Sequence, residues 1–162
     1  MAARLQNFFA TGAAYSALQS TTPQTIALAL EDSPAGLAAW IVEKQRSWSD
    51  CHGDVETRFS KDDLLTTIMI YWVTQSYGTS ARYYYEAAHN PWTPVHGRMP
   101  AIEAPTGISV LPAEFASAPR RWAQRYYNLK QKRHHAAGGH YGAWEEPEAI
   151  VADVRDFFRT LT

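Results

Sequence analysis

Apolar and polar positions in the first half of the chain follow the spacing of capped, amphipathic helices. Thr22-Pro23 and Ser33-Pro34 each combine an N-cap residue with a proline at the first helical position, where the missing N–H costs nothing. Ser60 and Asp63 have the spacing of a capping box, and a further helix is predicted to start near Ser80. Two apolar stripes typical of core-covering helices follow the caps: Leu37, Trp40, Ile41 and Trp48, and then Leu64, Leu65, Ile68, Met69 and Trp72.

The pattern changes near His89, where several prolines make a continued helix unfavourable. The elements predicted beyond this point are a strand ending at 105–110, a helix near 118–127, a second strand near 128–134 and a terminal helix with an apolar face over 150–161. This order is typical of a parallel α/β layer. We therefore predict a helical segment over 1–95 and an α/β segment over 96–162. Because parallel strands are normally covered on both faces, we expect most of the sheet to be absent from this chain.

Composition and charge exclude several classes of protein. With 162 residues, of which 46% are hydrophobic, the chain can bury a core and does not have the composition of a disordered tail. A net charge of −1 provides no electrostatic reason to expect nucleic acid as a partner. The single cysteine, Cys51, cannot form an intramolecular disulfide, and we find neither a membrane-spanning apolar run nor a signal-peptide pattern. We expect a cytoplasmic protein.

Eight sequence blocks spread over most of the chain carry a family resemblance. They are Tyr15 to Pro23, Leu30 to Lys44 with its Asp32-Ser33-Pro34-Ala35-Gly36-Leu37, Phe59 to Leu65, Tyr71 to Thr74, Arg82-Tyr83-Tyr84-Tyr85-Glu86, Pro105-Thr106-Gly107, Leu111-Pro112-Ala113-Glu114, and Gly138-Gly139-His140 continuing to Trp144-Glu145-Glu146-Pro147-Glu148. In this order they resemble the microsomal-type epoxide hydrolases, a branch of the α/β-hydrolase superfamily. The resemblance implies a partial α/β-hydrolase fold, with a mostly helical lid followed by a small C-terminal βαβα portion of the core.

The resemblance also implies a two-step hydrolysis of an epoxide to a vicinal diol. An aspartate attacks an epoxide carbon to form an ester, while two lid tyrosines, matched here by Tyr15 and Tyr84, donate hydrogen bonds to the epoxide oxygen. A histidine, matched by His140 and oriented by Glu114, then activates water to hydrolyse the ester. Tyrosine suits the first task because a neutral phenol can stabilise a developing alkoxide. Histidine suits the second because its pKa lies near working pH.

The nucleophile of this family has no counterpart in the chain. Gly107-Ile108-Ser109-Val110-Leu111 starts like a Gly-x-Nu-x-Gly elbow but lacks the second glycine, and a His-Gly-rich oxyanion loop is also missing. We therefore expect the 162-residue chain alone to be inactive, and interpret it as a truncated product, a wrong start site or one half of a split enzyme. Exposed apolar surface and self-association are further expectations.

The expected partners are a small apolar epoxide, water, and either a separate N-terminal half or a second copy of this chain. We expect no cofactor, no nucleic acid, no membrane span and no metal, since the histidines lack a pattern such as His-Glu-x-x-His. Two alternatives remain open at this point. One is another α/β-hydrolase, of the dehalogenase or esterase type, and the other is a non-catalytic, lid-like binding fragment.

Overall fold

The chain folds into two compact units. A computed structural model describes the backbone of residues 2–161 and the side chains of residues 3–161. The helical unit comprises residues 2–47 and 53–92, and the α/β unit comprises residues 48–52 and 93–161. Met1 and Thr162, the outer ends of the two predicted segments, lie outside the described residues. The domain boundary at 95/96 stays a prediction, and it does not foresee that residues 48–52 group with the α/β unit.

The helical unit is built around six helices. They are α1 (Ala2–Thr11), α2 (Ala14–Thr21), α3 (Pro23–Glu31), α4 (Pro34–Trp48), α5 (Lys61–Thr74) and α6 (Tyr77–His89), with a 3₁₀ turn at Val55–Thr57. The hydrophobic core cluster of the unit contains Ala27, Leu30, Leu37, Ile68, Tyr77 and Ala81, all buried. Helices α2, α3 and α6 pack against one another, so α2 and α6 are held side by side.

The helix caps predicted from the sequence are confirmed with two differences. Ser60 and Asp63 form the full capping box of α5, and the Ser33 hydroxyl accepts the Gly36 N–H at 3.0 Å. Thr22 occupies the N-cap position of α3, but its side chain makes no capping hydrogen bond. Helix α6 starts at Tyr77, three residues before the predicted Ser80, and the side chain of its N-cap residue Ser76 makes no capping hydrogen bond.

The α/β unit contains the predicted strand–helix–strand–helix order. Its elements are β1 (Ile102–Val110), α7 (Arg120–Tyr126), β2 (Tyr127–His134), α8 (Gly142–Glu145) and α9 (Pro147–Arg159). Within the described residues, β1 and β2 form a two-stranded parallel sheet, with Ile108 opposite Lys132 and Val110 opposite His134. The predicted parallel layer is therefore confirmed, and helix α9 packs against both strands.

Helix α9 is attached to the sheet through a carboxylate. Asp153 is buried and accepts hydrogen bonds from Ser109 at 2.5 Å, His135 at 2.7 Å and Arg133 at 3.0 Å. Burial alone would raise the pKa of Asp153, but these three donors lower it below its ordinary value. Ser109 thus serves as a donor to a structural carboxylate, which agrees with its rejection as a nucleophile.

The apolar stripe of α9 is largely exposed. Val154 is 50% exposed and Phe158 is 60% exposed, whereas the buried side chain of this helix is that of Asp153. Four apolar side chains of α5 are also exposed: Leu65, Met69, Ile70 and Val73. Exposed apolar surface was expected from the sequence, and self-association through it stays a prediction.

None of the described helices, taken singly, has both the length and the apolar character of a membrane span. The sharply bent pair α3 and α4 meets those criteria only when the two helices are counted together.

Candidate active site

His140 lies in a loop whose backbone is closely packed. Gly138 adopts φ +98°, a conformation that residues with a Cβ rarely adopt. A Cβ on Gly139 would lie 2.6 Å from the Trp48 carbonyl oxygen, so only glycine allows this approach. The His140 N–H donates to the same carbonyl at 2.9 Å. The two glycines are therefore required by the path of the loop against residues 48–50.

The predicted pair of His140 and Glu114 is formed in the structure. Nδ1 of His140 lies 3.0 Å from Oε2 of Glu114. Burial alone would raise the pKa of Glu114, but the hydrogen bonds from His140 and from the Phe115 N–H lower it below its ordinary value. Glu114 is thus ionised at neutral pH and can only accept, so Nδ1 carries the proton. This tautomer leaves the Nε2 lone pair of His140 available as a base.

The electrostatic surroundings of His140 favour its protonated form. The hydrogen bond to Glu114 raises the pKa of His140 above its ordinary value, burial opposes this effect, and the charges of Glu114 and Glu145 add to it. The imidazolium that forms when the histidine takes a proton is therefore stabilised at this position. This is the property that a general base needs from its neighbouring carboxylate.

Three aromatic rings contact the imidazole of His140, one of them Tyr141, which lies edge-on at 5.4 Å and 88°. Phe115 stacks on His140 with ring centroids 5.4 Å apart and an interplanar angle of 24°. Trp48 meets the same ring edge-on, at 5.2 Å and 74°. Since a stacked ring on one side and an edge on another leave little rotational freedom, the imidazole is oriented by packing as well as by its hydrogen bond.

We expect Glu114→Gln to lower the pKa of His140 in the isolated chain, because the largest contribution that raises it is lost. Following the His140 ring proton by NMR during a pH titration measures this change. His134→Ala, at an exposed position on β2, serves as the control that leaves the His140 titration unaltered. An unchanged His140 pKa in Glu114→Gln would contradict the assignment of the pair.

The same pair makes the stability of the chain depend on pH. A raised His140 pKa contributes stability below the ordinary value of 6.5 and loses it as pH rises through the folded pKa. A lowered Glu114 pKa contributes stability above its ordinary value of 4.5 and loses it as pH falls through the folded pKa. The difference in unfolding free energy between the native chain and Glu114→Gln should therefore be largest between these two values. Because both side chains are partly exposed, we expect at most about 1 kcal/mol, measurable by urea unfolding.

Tyr15 and Tyr84, predicted as a pair, lie together in the helical unit. Their rings meet edge to face, with centroids 5.6 Å apart and an interplanar angle of 82°. Burial, together with the charge and the hydrogen bond of Tyr84, raises the pKa of Tyr15 to about 12. Tyr15 therefore stays a neutral hydrogen-bond donor at every physiological pH.

The packing of α2 against α6 sets the register of these two tyrosines. The Tyr77 hydroxyl donates to Oε1 of Gln19 at 2.8 Å, and both side chains are buried. Gln19 lies one helical turn after Tyr15 on α2, and Tyr84 lies two turns after Tyr77 on α6. The hydrogen bond between Tyr77 and Gln19 therefore holds α2 and α6 together close to the Tyr15–Tyr84 contact. Burial also raises the pKa of Tyr77, so its phenol remains protonated and continues to donate.

The neighbours of Tyr84 in the tyrosine run have different surroundings. Tyr83 is 71% exposed, and Tyr85 stacks on His89 with ring centroids 3.9 Å apart. Tyr84 is therefore the member of this run that contacts Tyr15.

Two carboxylates near the site had no role in the sequence analysis. Glu145 holds the backbone beside His140, and Asp153 holds α9 on the sheet. Glu145 belongs to one of the blocks that carry the resemblance, which was the available signal, whereas nothing local distinguishes Asp153. Among residues 2–161, no group of three or more His, Cys, Asp or Glu side chains has the arrangement of a metal site.

Comparisons with known proteins agree on one class. The chain is 41% identical to a protein of Stigmatella aurantiaca named as an epoxide hydrolase, over 98% of this chain and 35% of that protein. It is 38% identical to epoxide hydrolase 1 of Sus scrofa, over 91% of this chain and 34% of the relative. The solved structure of Aspergillus niger epoxide hydrolase superposes with a TM-score of 0.80 at 32% identity, over 99% of this chain and 39% of that one. No protein-family profile matches the sequence. The chain thus spans about a third of the length of the relatives it matches.

Proposed function

We propose, from the homology of this chain to the C-terminal part of epoxide hydrolases of the α/β-hydrolase fold, that it supplies the hydrolytic base and the epoxide-oxygen donors of such an enzyme. The proposed reaction converts a small apolar epoxide and water to a vicinal diol. The observation that carries the proposal is the 3.0 Å contact between His140 Nδ1 and Glu114 Oε2. It makes Nε2 of a polarised histidine available to take a proton from water.

In the first proposed step, an aspartate contributed by sequence outside this chain attacks an epoxide carbon. A C–O ester bond forms, the ring C–O bond breaks, and the ring oxygen becomes an alkoxide. An alkoxide leaves poorly unless donors stabilise its charge. Tyr15 and Tyr84 are adjacent phenols, and Tyr15 is neutral over the whole physiological range, so they are suited to donate to this oxygen.

In the second proposed step, His140 activates water against the ester. Nε2 takes one proton from the water molecule while the water oxygen attacks the ester carbonyl carbon. The acyl C–O bond then breaks, and the imidazolium gives its proton to the oxygen that leaves the acyl carbon. The second proton of the water replaces the one that the alkoxide of the first step took from a phenol, so the diol is released and the aspartate is restored as a carboxylate. Glu114 stabilises the imidazolium through Nδ1, and the raised pKa of His140 reports that stabilisation. Hydrolysis should therefore speed up as pH rises through the His140 pKa, because only the neutral ring is a base.

The proposal is tested with a reconstituted enzyme, made by joining this chain to the part of Aspergillus niger epoxide hydrolase that precedes the matched region. We expect the isolated chain to produce no diol from styrene oxide, since it lacks a carboxylate nucleophile elbow, and the reconstituted enzyme to turn over repeatedly. Diol release measured by chromatography distinguishes the two. A reconstituted enzyme that folds but forms no diol, or an isolated chain that turns over, would contradict the proposal.

A dehalogenase or esterase reaction is tested in the same assay. A chloroalkane or a carboxylic ester replaces styrene oxide, with the epoxide as the reference substrate. The adjacent tyrosine pair favours the epoxide, because halide loss and acyl transfer need halide or oxyanion donors of other kinds. Preference of the reconstituted enzyme for chloroalkane or ester over epoxide would reverse this assignment.

A further inference from the structure

Glu145 is a buried carboxylate that binds backbone N–H groups on both sides of His140. Its Oε2 accepts from the Gly139 N–H at 3.0 Å, and its Oε1 accepts from the Tyr141 N–H at 3.0 Å. Oε2 also accepts from the Asp50 N–H at 2.6 Å. Glu145 is 8% exposed, so these bonds form with little competition from water.

The rest of the loop backbone is bound in the same way. The Gly138 N–H donates to Oδ2 of Asp50 at 3.0 Å, and the His140 N–H donates to the Trp48 carbonyl at 2.9 Å. Each N–H from 138 to 141 therefore has an acceptor: three of these four bonds run to carboxylates, and the fourth runs to the Trp48 carbonyl in the segment 48–50 that Glu145 also binds. A loop fixed at each residue cannot displace its central Cα without breaking several hydrogen bonds.

We propose that Glu145 is a positioning residue that holds His140 in hydrogen-bonding range of Glu114. This inference rests on the proposed function for its catalytic meaning, and on the geometry above for its structural content. The peptide groups on both sides of His140 are tied to one carboxylate, so Glu145 fixes the Cα from which the imidazole reaches Glu114. Displacing a catalytic group by about 1 Å can cost about 10²-fold in rate, which is why a separate anchor has value.

Two substitutions separate the geometry of Glu145 from its charge. Glu145→Gln keeps the size of the side chain but replaces one of its two acceptor oxygens with an NH₂ group, which is a donor. The one remaining oxygen cannot accept both the Tyr141 N–H on one side and the Gly139 and Asp50 N–H groups on the other. Glu145→Asp keeps the charge but withdraws the carboxylate by one methylene. Glu148→Gln, an exposed carboxylate in the first turn of α9, is the matched control.

The isolated chain is measured by NMR, so no turnover is required. We expect both Glu145 variants to lose the downfield Nδ1–H proton signal of His140 and to show mixed imidazole tautomers. Amide exchange at Gly139 and Tyr141 should accelerate at least about tenfold, the factor that corresponds to one lost hydrogen bond. Glu148→Gln should keep the native His140 signature.

Three results would overturn the proposal. One is a native His140 signature in both variants despite faster amide exchange, which would leave Glu145 with a purely structural role. Another is a native signature in Glu145→Asp alone, which would assign the effect to charge. The third is equal loss in Glu148→Gln. Glu114→Gln separates this test from the proposed function, because an unchanged His140 titration there contradicts the Glu114–His140 pair whatever Glu145 does.

The native chain provides a second measurement in case the variants do not fold. Couplings across hydrogen bonds should connect the Glu145 carboxyl carbon with the amide nitrogens of Gly139, Tyr141 and Asp50. Detection of these couplings supports the anchor. Their absence at all three amides overturns it.

Discussion

Replacing His140 with alanine in the reconstituted enzyme is expected to lower kcat about 10⁴-fold, the loss typical when the histidine base of a hydrolytic triad no longer functions. Ester formation does not need this base, because an aspartate attacks and tyrosines assist the leaving oxygen. The covalent ester should therefore accumulate while diol release stops. Mass spectrometry of the intact protein after mixing with styrene oxide detects the added mass, and product analysis measures the turnover.

The control for this experiment is His134→Ala, at an exposed position in the same α/β unit. It should keep the full kcat and show no accumulation of ester. Normal turnover by His140→Ala would remove the histidine from the mechanism. Loss of ester formation, with the fold intact, would instead place its action in the first step.

Removing the hydroxyl of either Tyr15 or Tyr84 is expected to slow ester formation by about 10²–10³-fold, the usual cost of losing one donor to a developing oxyanion. Tyr15→Phe and Tyr84→Phe each delete one hydroxyl and keep the ring contact at 5.6 Å. Single-turnover measurement of ester formation under excess enzyme detects this loss directly. In contrast to His140→Ala, these variants should accumulate no ester, because they fail before it forms.

Tyr83→Phe is the matched control for the pair, since Tyr83 lies on the same helix and is 71% exposed. It should leave the rate of ester formation unchanged. The double variant Tyr15→Phe/Tyr84→Phe should lose less than the product of the single losses, because the two donors act on one oxygen. Native rates in both single variants would show that the ring oxygen is stabilised by other groups.

The helices and strands were predictable because their signals are local. The Ser60–Asp63 capping box and the Ser33 cap each join residues that are less than four positions apart in the sequence. Both are present in the structure. The parallel pair β1 and β2 was predictable from the alternation of strand and helix. Thr22 shows the limit of this reasoning, since its position at the start of α3 was right but its side chain forms no cap.

The four residues proposed for the reaction came from the resemblance, and their contacts came from the structure. Sequence blocks pointed to Tyr15, Tyr84, Glu114 and His140, while the surroundings of Tyr83 and Tyr85 separate them from Tyr84. The aromatic rings that orient His140 were not foreseen. Trp48 had been assigned to an apolar helix stripe, and only folding brings its ring and its carbonyl to the histidine.

The sequence by itself determined most of the secondary structure, because periodicity and caps act within a few residues of one another, and its resemblance indicated the residues of the candidate site. The tertiary structure alone decided which groups hold the site in place. Asp50 and Glu145 are 95 positions apart in the chain, yet they share a hydrogen bond of 2.6 Å. Asp153 lies within an apolar stripe and is nonetheless the buried residue of α9. Its three donors are Ser109 on β1, Arg133 on β2 and His135, which directly follows β2. A buried carboxylate is stable only where the fold brings hydrogen-bond donors around it. Those donors are distant in the sequence, so no local sequence pattern predicts which of them will surround the carboxylate.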